Sequence, residues 1–216
     1  MMTLKILAAL LDYPSDNTMA DLAEMQVLLS VEGRLSKKCM EGLDAFISNL
    51  SNGDLLDVQA AWVEQFDRTR SLSLNLFEHV HGDSRDRGQA MVDLQAMYQR
   101  RGLTIGVEEL PDYLPIFLEF LSTEPDAEAR SLLGEASHVV AALAERLVSR
   151  GSAYAAVMAA VVELAGASQG GTRAPISTPE TDDDVDASWG EDPVDFGAAA
   201  VPPPCGGVAV PAREGA

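Results

Sequence analysis

Residues 66–94 read FDRTRSLSLNLFEHVHGDSRDRGQAMVDL. Leu72, Leu76, Phe77 and Val80, and after them Met91 and Leu94, keep the three-and-four spacing of a helix with one buried face. From Phe66 to Arg101 the acids Asp67, Glu78, Asp83, Asp86 and Asp93 stand against Arg68, Arg70, Arg85, Arg87, Arg100 and Arg101, a net charge of +1. The whole chain carries −19, from 15 basic and 34 acidic residues. A neutral island in so acidic a chain, with charges interleaved into a helical apolar pattern, reads as an ordered and densely paired region. Arg68, Arg70, Arg85 and Arg87 are expected to brace a kink between two helices, because a guanidinium fork suits carboxylates and loop carbonyls alike.

The same period extends to both sides. Leu4, Leu7 and Leu11, with Ile6 and Leu10, form a stripe that ends at Tyr13-Pro14. Leu22, Met25 and Leu29 form another, and Leu35, Cys39, Leu43, Phe46, Ile47 and Leu50 run to the stop at Asn52-Gly53. Asp54 opens a helix through Trp62 and Phe66, and a further helix covers about Leu72 to Val80. Asp83 or Ser84 can cap the next, which closes at Arg100, Arg101 and Gly102, bases and a glycine suited to a helix C-terminus. Pro111 to Leu121 reads as a short apolar helix, Pro125 to Leu147 as one long helix, and Tyr154 to Leu164 as the last. No strand alternation or hairpin signal interrupts the series. The expected fold is all-α, a single-domain helical bundle over residues 1–166.

Composition changes after residue 166. From Gly171 onward lie seven of the 11 prolines and nine acids against Arg173 and Arg213, a local charge of −7. Such a segment has too little apolar surface to offset its ordering entropy, so 167–216 is expected to be a disordered acidic tail. Within it, Trp189 to Phe196 (WGEDPVDF) places aromatics at both ends of an acidic stretch, a possible short docking motif.

The acidity argues against nucleic acid and against anionic membrane surfaces, and favours a basic partner. Cys39 and Cys205 lie far apart with no CxxC, which fits a reducing, cytoplasmic setting. The opening MMTLKILAALLDYP lacks a small-x-small cleavage site and reads as a first helix, and the run 151–162 is well short of the ~20 residues of a membrane span. No GxSxG, phosphate-binding glycine loop or Cys/His arrangement supplies a carrier for enzyme chemistry, and no cofactor is expected. The pattern Glu78-His79-Val80-His81 with Asp83 and Asp86 invites a metal reading, that of an all-α metal-dependent hydrolase. On a helix, however, residues two apart point about 200° from each other, so His79 and His81 cannot chelate one ion there. Ser71, Ser73 and Ser84 read as turn, cap or surface residues.

FDRTRSLSLNLFEHVHGDSRDRGQAMVDL followed by ELPDYLPIFLEFL resembles the respiratory nitrate reductase molybdenum cofactor assembly chaperones, the delta subunit family. It is more distantly similar to the wider group of redox-enzyme maturation chaperones for molybdoenzymes. The likeness runs from LLDYP at 10–14 to about residue 165, and WGEDPVDF resembles a tail element of the same family. It implies an all-helical cytoplasmic chaperone without catalytic residues. It further implies binding to the immature catalytic subunit of a nitrate reductase, chiefly at its N-terminal peptide. That subunit would be kept competent for molybdenum cofactor insertion, including completion of its iron–sulfur centre, and held back from membrane docking. Cofactor-delivery proteins are possible further partners; nucleic acid and direct membrane insertion are not expected.

In the wider group a Glu–Pro–Asp–His-like motif contributes to the peptide site. Here the matching residues are Glu109, Pro111, Asp112 and Tyr113, with Leu110 inserted and tyrosine in place of histidine. The expectation is an apolar groove lined by some of Trp62, Phe66, Phe77, Tyr113 and Phe117, with Asp112 and Glu109 meeting a peptide Lys or Arg.

Overall fold

Stripes of leucine and small apolar residues become ten α-helices in a computed structural model that describes residues 1–81, 84–106 and 109–166, with only the backbone of Arg85. The acidic segment 167–216, with Cys205 and the 189–196 island, lies outside the described residues. So do Gly82 and Asp83. The described residues belong to one compact unit.

Helix α1 (Met2–Leu11) is central: Leu4, Leu7 and Leu11 are fully buried, and it packs on α2 (Asp16–Glu32), α7 (Leu114–Thr123) and α10 (Ala155–Leu164). Helix α3 (Lys37–Ser51) packs on α2 and α10. Gly42 of α3 sits where an added Cβ would be 3.4 Å from the Ala156 Cβ, so small residues set that close approach. Helix α9 (Ser137–Ser149) closes over α10 with Val139, Val140, Leu143 and Leu147 buried. Local caps start several helices: Ser15, Ser36 and Asp54 accept hydrogen bonds from the backbone N–H of Thr18, Cys39 and Leu56.

Two further caps come from distant carboxylates. Glu32, at the end of α2, accepts from the N–H of Met2 and Thr3 and from the Thr3 hydroxyl, covering the first turn of α1. Glu163 of α10 accepts from the N–H and hydroxyl of Ser36, at the start of α3. Both answer the unpaired N–H groups that every helix start presents, and both meet its positive dipole end.

The all-α expectation stands, with no strand among the described residues, but four boundaries differ. Helix α4 (Leu55–Trp62) runs on as expected through Phe66, yet Val63–Asp67 widens into a π-turn, with Arg68 N–H bonded to the Val63 carbonyl five residues back. The helix expected from Leu72 starts later. A 3₁₀ turn at Arg70–Leu72 leads to an isolated antiparallel bridge between Asn75 and Tyr113, and only then to α5 (Leu76–His81). The bridge draws backbone out of a helical path: Leu76 N–H bonds to the Asp112 carbonyl and Leu114 N–H to the Leu74 carbonyl, each 2.9 Å. For the same reason α7 begins at Leu114, with Pro115 in its first turn, and not at Pro111. The long helix expected from Pro125 breaks at Ala136 into α8 (Asp126–Glu135) and α9, flanked by the weak helix formers Gly134 and Ser137.

Candidate functional site

The signature segment is tied into the fold by non-local bonds. Asp112 is fully buried, and its Oδ2 accepts the Phe77 N–H at 3.0 Å in the first turn of α5. Its carboxyl is held above the ordinary range, first by burial, against the Phe77 hydrogen bond and the Arg87 charge. Arg87, on α6 (Arg85–Arg100), reaches Glu78 at 3.1 Å and stands 4.0 Å from Asp112. Tyr98, also on α6, donates its hydroxyl to the Pro111 carbonyl at 2.8 Å. From the other side, Arg146 of α9 donates to the Ser71 carbonyl at 2.8 Å. His79 places Nε2 2.8 Å from the Ser73 carbonyl and Nδ1 3.4 Å from Arg146, so the neutral tautomer with Nε2–H satisfies both neighbours. Burial, followed by the Arg146 charge, holds this imidazole below its ordinary value.

Beside this knot lies a groove of about 340 Å³ between α1, α7 and the stretch after α6. Its apolar lining includes Ala8, Ala9, Leu103, Ile105, Pro115 and Ile116. Asp12, Glu109 and Glu119 face it as acids, with Lys5 as the one base among the lining residues. The sequence explains the shape. Alanines at 8 and 9 leave α1 thin on that side, and the half-buried Ile116 with the buried Pro115 line it from α7, while Leu114, Leu118 and Leu121 turn into the core. At one end the Tyr113 hydroxyl donates to Asp12 Oδ1 at 3.1 Å.

The structure divides the residues expected to form the peptide site. Glu109 and Tyr113 line the groove. Asp112 does not: its carboxylate points inward and caps α5, so it has no surface to offer a peptide cation. Phe117 is likewise turned into the core, 6% exposed, because it shares the buried stripe of α7. Phe77 is half-buried and packs edge-on against His81, ring centroids 5.6 Å apart, away from the groove lining. Phe66 is buried, and Trp62 is half-buried with Nε1–H donating to the Leu11 carbonyl at 2.9 Å. Both belong to an aromatic file that runs Tyr13, Trp62, Phe66, Tyr154, Phe46.

Among the expected braces, Arg87 pairs with Glu78 and stands beside Asp112. Arg68 is 70% exposed and pairs with Glu64 one turn back, a contact that contributes little. Arg70 is exposed on the 3₁₀ turn, and the Arg85 side chain is outside the described residues. The brace from α9, Arg146, was missed, although a signal existed: it falls three residues after Leu143, inside the apolar stripe of that helix. The metal reading fares no better. His79 is engaged by Ser73 and Arg146, Asp83 lies outside the described residues, and among those described no three His, Cys, Asp or Glu side chains gather as a ligand set. No described helix is long and apolar enough to cross a membrane.

Residues 33–160 match the model of the nitrate reductase delta subunit family. The chain is 40% identical over 201 residues to the probable nitrate reductase molybdenum cofactor assembly chaperone NarW of Escherichia coli, covering 91% of this chain and 84% of that protein. It is 38% identical to the nitrate reductase molybdenum cofactor assembly chaperone NarJ of the same species, covering 99% and 92%. The probable NarJ chaperone of Bacillus subtilis is 28% identical over 72% of this chain and 84% of its own length. These relatives are assembly chaperones and not hydrolases, which leaves the hydrolase reading without support. Taken with the all-helical knot-and-groove architecture, the matches establish that the chain belongs to the nitrate reductase delta subunit family.

Proposed function

We propose that this protein is a dedicated assembly chaperone that binds the immature catalytic subunit of a respiratory nitrate reductase in the cytoplasm, chiefly through that subunit's N-terminal peptide. While bound, the subunit stays open to molybdenum cofactor insertion and to completion of its iron–sulfur centre, and its docking to the membrane is delayed. Cofactor-delivery proteins meet the complex transiently, and the chaperone leaves before the enzyme is finished. The observation that supports a peptide ligand is the groove between α1 and α7: an apolar floor some turns long, rimmed by Asp12, Glu109 and Glu119. Such a surface suits an amphipathic segment with basic residues, since apolar anchors supply contact area and the acidic rim steers and orients.

The test is calorimetric titration with a synthetic N-terminal peptide of the catalytic subunit. Ile116→Glu introduces a carboxylate on the groove floor without opening the core, and it should weaken binding by at least about tenfold. Unchanged affinity in that variant, shown to be folded, would move the site elsewhere. Timing is tested by co-purification. The chaperone should carry the catalytic subunit in cells unable to make molybdenum cofactor and release it in replete cells; equal recovery with mature enzyme would make it a structural subunit.

A further inference from the structure

The groove ends in a corner whose chemistry is one-sided. Asp12 caps the C-terminus of α1 with its side chain exposed, and the last carbonyls of that helix add the negative end of its dipole. Tyr13 is 46% exposed and meets Trp62 edge to face, ring centroids 5.4 Å apart. Trp62 is fixed in turn by its hydrogen bond to Leu11 and by Phe66 behind it. Tyr154, from the start of α10, packs its ring edge-on against Phe66 at 4.9 Å and is only 6% exposed. Its hydroxyl has no hydrogen-bond partner among the described residues. It lies within electrostatic reach of the Tyr113 phenol, as do Asp12 and Glu109. Burial pushes the Tyr154 phenol up to about 12, so the group is a neutral hydroxyl at any physiological pH. A buried hydroxyl without a partner is uncommon in native folds and calls for an account.

The corner therefore offers a carboxylate, two phenol oxygens, the exposed ring of Tyr13 and a helix C-terminus. Among the residues lining the groove the one base, Lys5, sits two helical turns back along α1. We propose that this corner is a guanidinium pocket, which takes an arginine side chain of the bound peptide. Asp12 and the oxygens of Tyr113 and Tyr154 accept its N–H groups, and the exposed ring of Tyr13, held edge to face by Trp62, lies against its plane. A planar fork with five donors can serve three acceptors at once and stack on a ring, which a compact ammonium cannot. The pocket deepens the peptide-groove reading and rests on it, but it moves the acidic contact from Asp112, which is buried, to Asp12.

The first probe is Nα-acetyl-arginine amide, followed by Trp62 fluorescence in a Trp189→Phe background, with the lysine and citrulline amides as controls. The arginine compound should saturate in the millimolar range, bind about fivefold tighter than the lysine compound, and leave the neutral citrulline compound without effect. Asp12→Asn should abolish the response. Tyr154→Phe, which keeps the ring packing, should weaken it about threefold at an unchanged melting temperature. Equal binding of all three amides, an absent response, or full binding in Asp12→Asn overturns the pocket. The second probe is the N-terminal peptide with each arginine replaced by citrulline; one position should account for about a tenfold loss that disappears in Asp12→Asn. Peptide binding that depends on Ile116 but on neither Asp12 nor any arginine overturns the pocket and leaves the groove standing. Arginine amide binding without peptide binding upholds the pocket and overturns the groove's assigned occupant.

Discussion

Replacing Glu32 with alanine removes the cap of the central helix. Three donors lose their acceptor together: the N–H groups of Met2 and Thr3 and the Thr3 hydroxyl. Loss of a helix N-cap costs about 1 kcal/mol. Thr3 is fully buried, so its hydroxyl is stranded away from water, at about 1–3 kcal/mol. The carboxylate is 21% exposed on its side chain, and its 3.9 Å contact with the more exposed Arg34 adds little. The expected total is about 2–4 kcal/mol, which for a domain of this size lowers the melting temperature by about 6–12 °C. Glu32→Gln retains one acceptor oxygen and should lose about half as much.

The same site fixes a sign for pH. Burial acts to raise the Glu32 carboxyl, but the hydrogen bonds from Thr3 and Met2 together outweigh it, and the group is held below its ordinary 4.5. A depressed carboxyl contributes its stability fully above the unfolded value and loses it as pH falls through the folded one. The gap between the native protein and Glu32→Gln should thus be constant above about pH 5 and close below pH 4. Urea unfolding followed by circular dichroism measures both, and a double-mutant cycle with Thr3→Val isolates the shared bond. A Glu32→Ala variant within about 0.5 kcal/mol of the native protein, or a cycle with no coupling, would refute the cap.

Asp112→Ala strands the Phe77 N–H and should cost about 1–3 kcal/mol, whereas Asp112→Asn keeps an acceptor and should stay within about 1 kcal/mol. Because the Asp112 carboxyl is raised, first by burial, its contribution is lost as pH rises; relative to Asp112→Asn, the native protein should therefore be more stable at pH 4 than at pH 8, and urea unfolding at both values checks this. His79 is depressed, so its neutral-state stability is present above the ordinary 6.5 and is lost as pH falls below it; melting curves from pH 7.5 to 5 should fall more steeply for the native protein than for His79→Gln. Peptide affinity should drop several-fold between low salt and about 0.5 M salt while the melting temperature barely moves, since screening reaches exposed rim charges far more than capped carboxylates.

The helices were readable because each buries a leucine stripe of its own: Leu4, Leu7 and Leu11, or Val139, Val140, Leu143 and Leu147, declare both the period and the inward face. Asn52-Gly53 and Gly102 marked their ends for local reasons. What escaped the sequence is what depends on partners far along the chain. Asp112 looks like a dipole-favoured residue at the start of an apolar helix, and only the Phe77 N–H, 35 residues away, reveals it as the cap of a different one. The Asn75–Tyr113 bridge delayed two helices for a related reason: residues 71–76, SLSLNL, do alternate polar and apolar, but the helical spacing of Leu72, Leu76 and Val80 masked that signal, and the 111–114 side has none. The groove was half-visible. Glu109 and Tyr113 were found through the motif that carries the family likeness, but Ala8, Ala9 and Asp12 sit in an ordinary amphipathic helix, where small residues read as neutral. Aromatics drew the expected site toward Phe117 and Phe77, and burial shows that large rings in so aromatic-poor a chain are first of all core.

The charge of −19 resolves into two populations with different consequences. Glu32, Glu163 and Asp112 are turned onto helix starts, where backbone N–H groups and dipole ends take the place of cations. A chain with 34 acids and 15 bases can therefore hold these carboxylates largely through backbone N–H groups, whereas the buried Glu124 is paired with Arg101 at 3.2 Å. Arg87 and Arg146 both act on the signature segment, where Glu78 and the Ser71 carbonyl take their N–H groups. Asp12, Glu109 and Glu119 are then left facing the groove with Lys5 alone to offset them. The neutral island of residues 66–101 and the acidic groove are complementary outcomes of one allocation. Basic residues gathered to hold the wall are basic residues withheld from the cleft beside it, and that deficit is what an incoming arginine would supply.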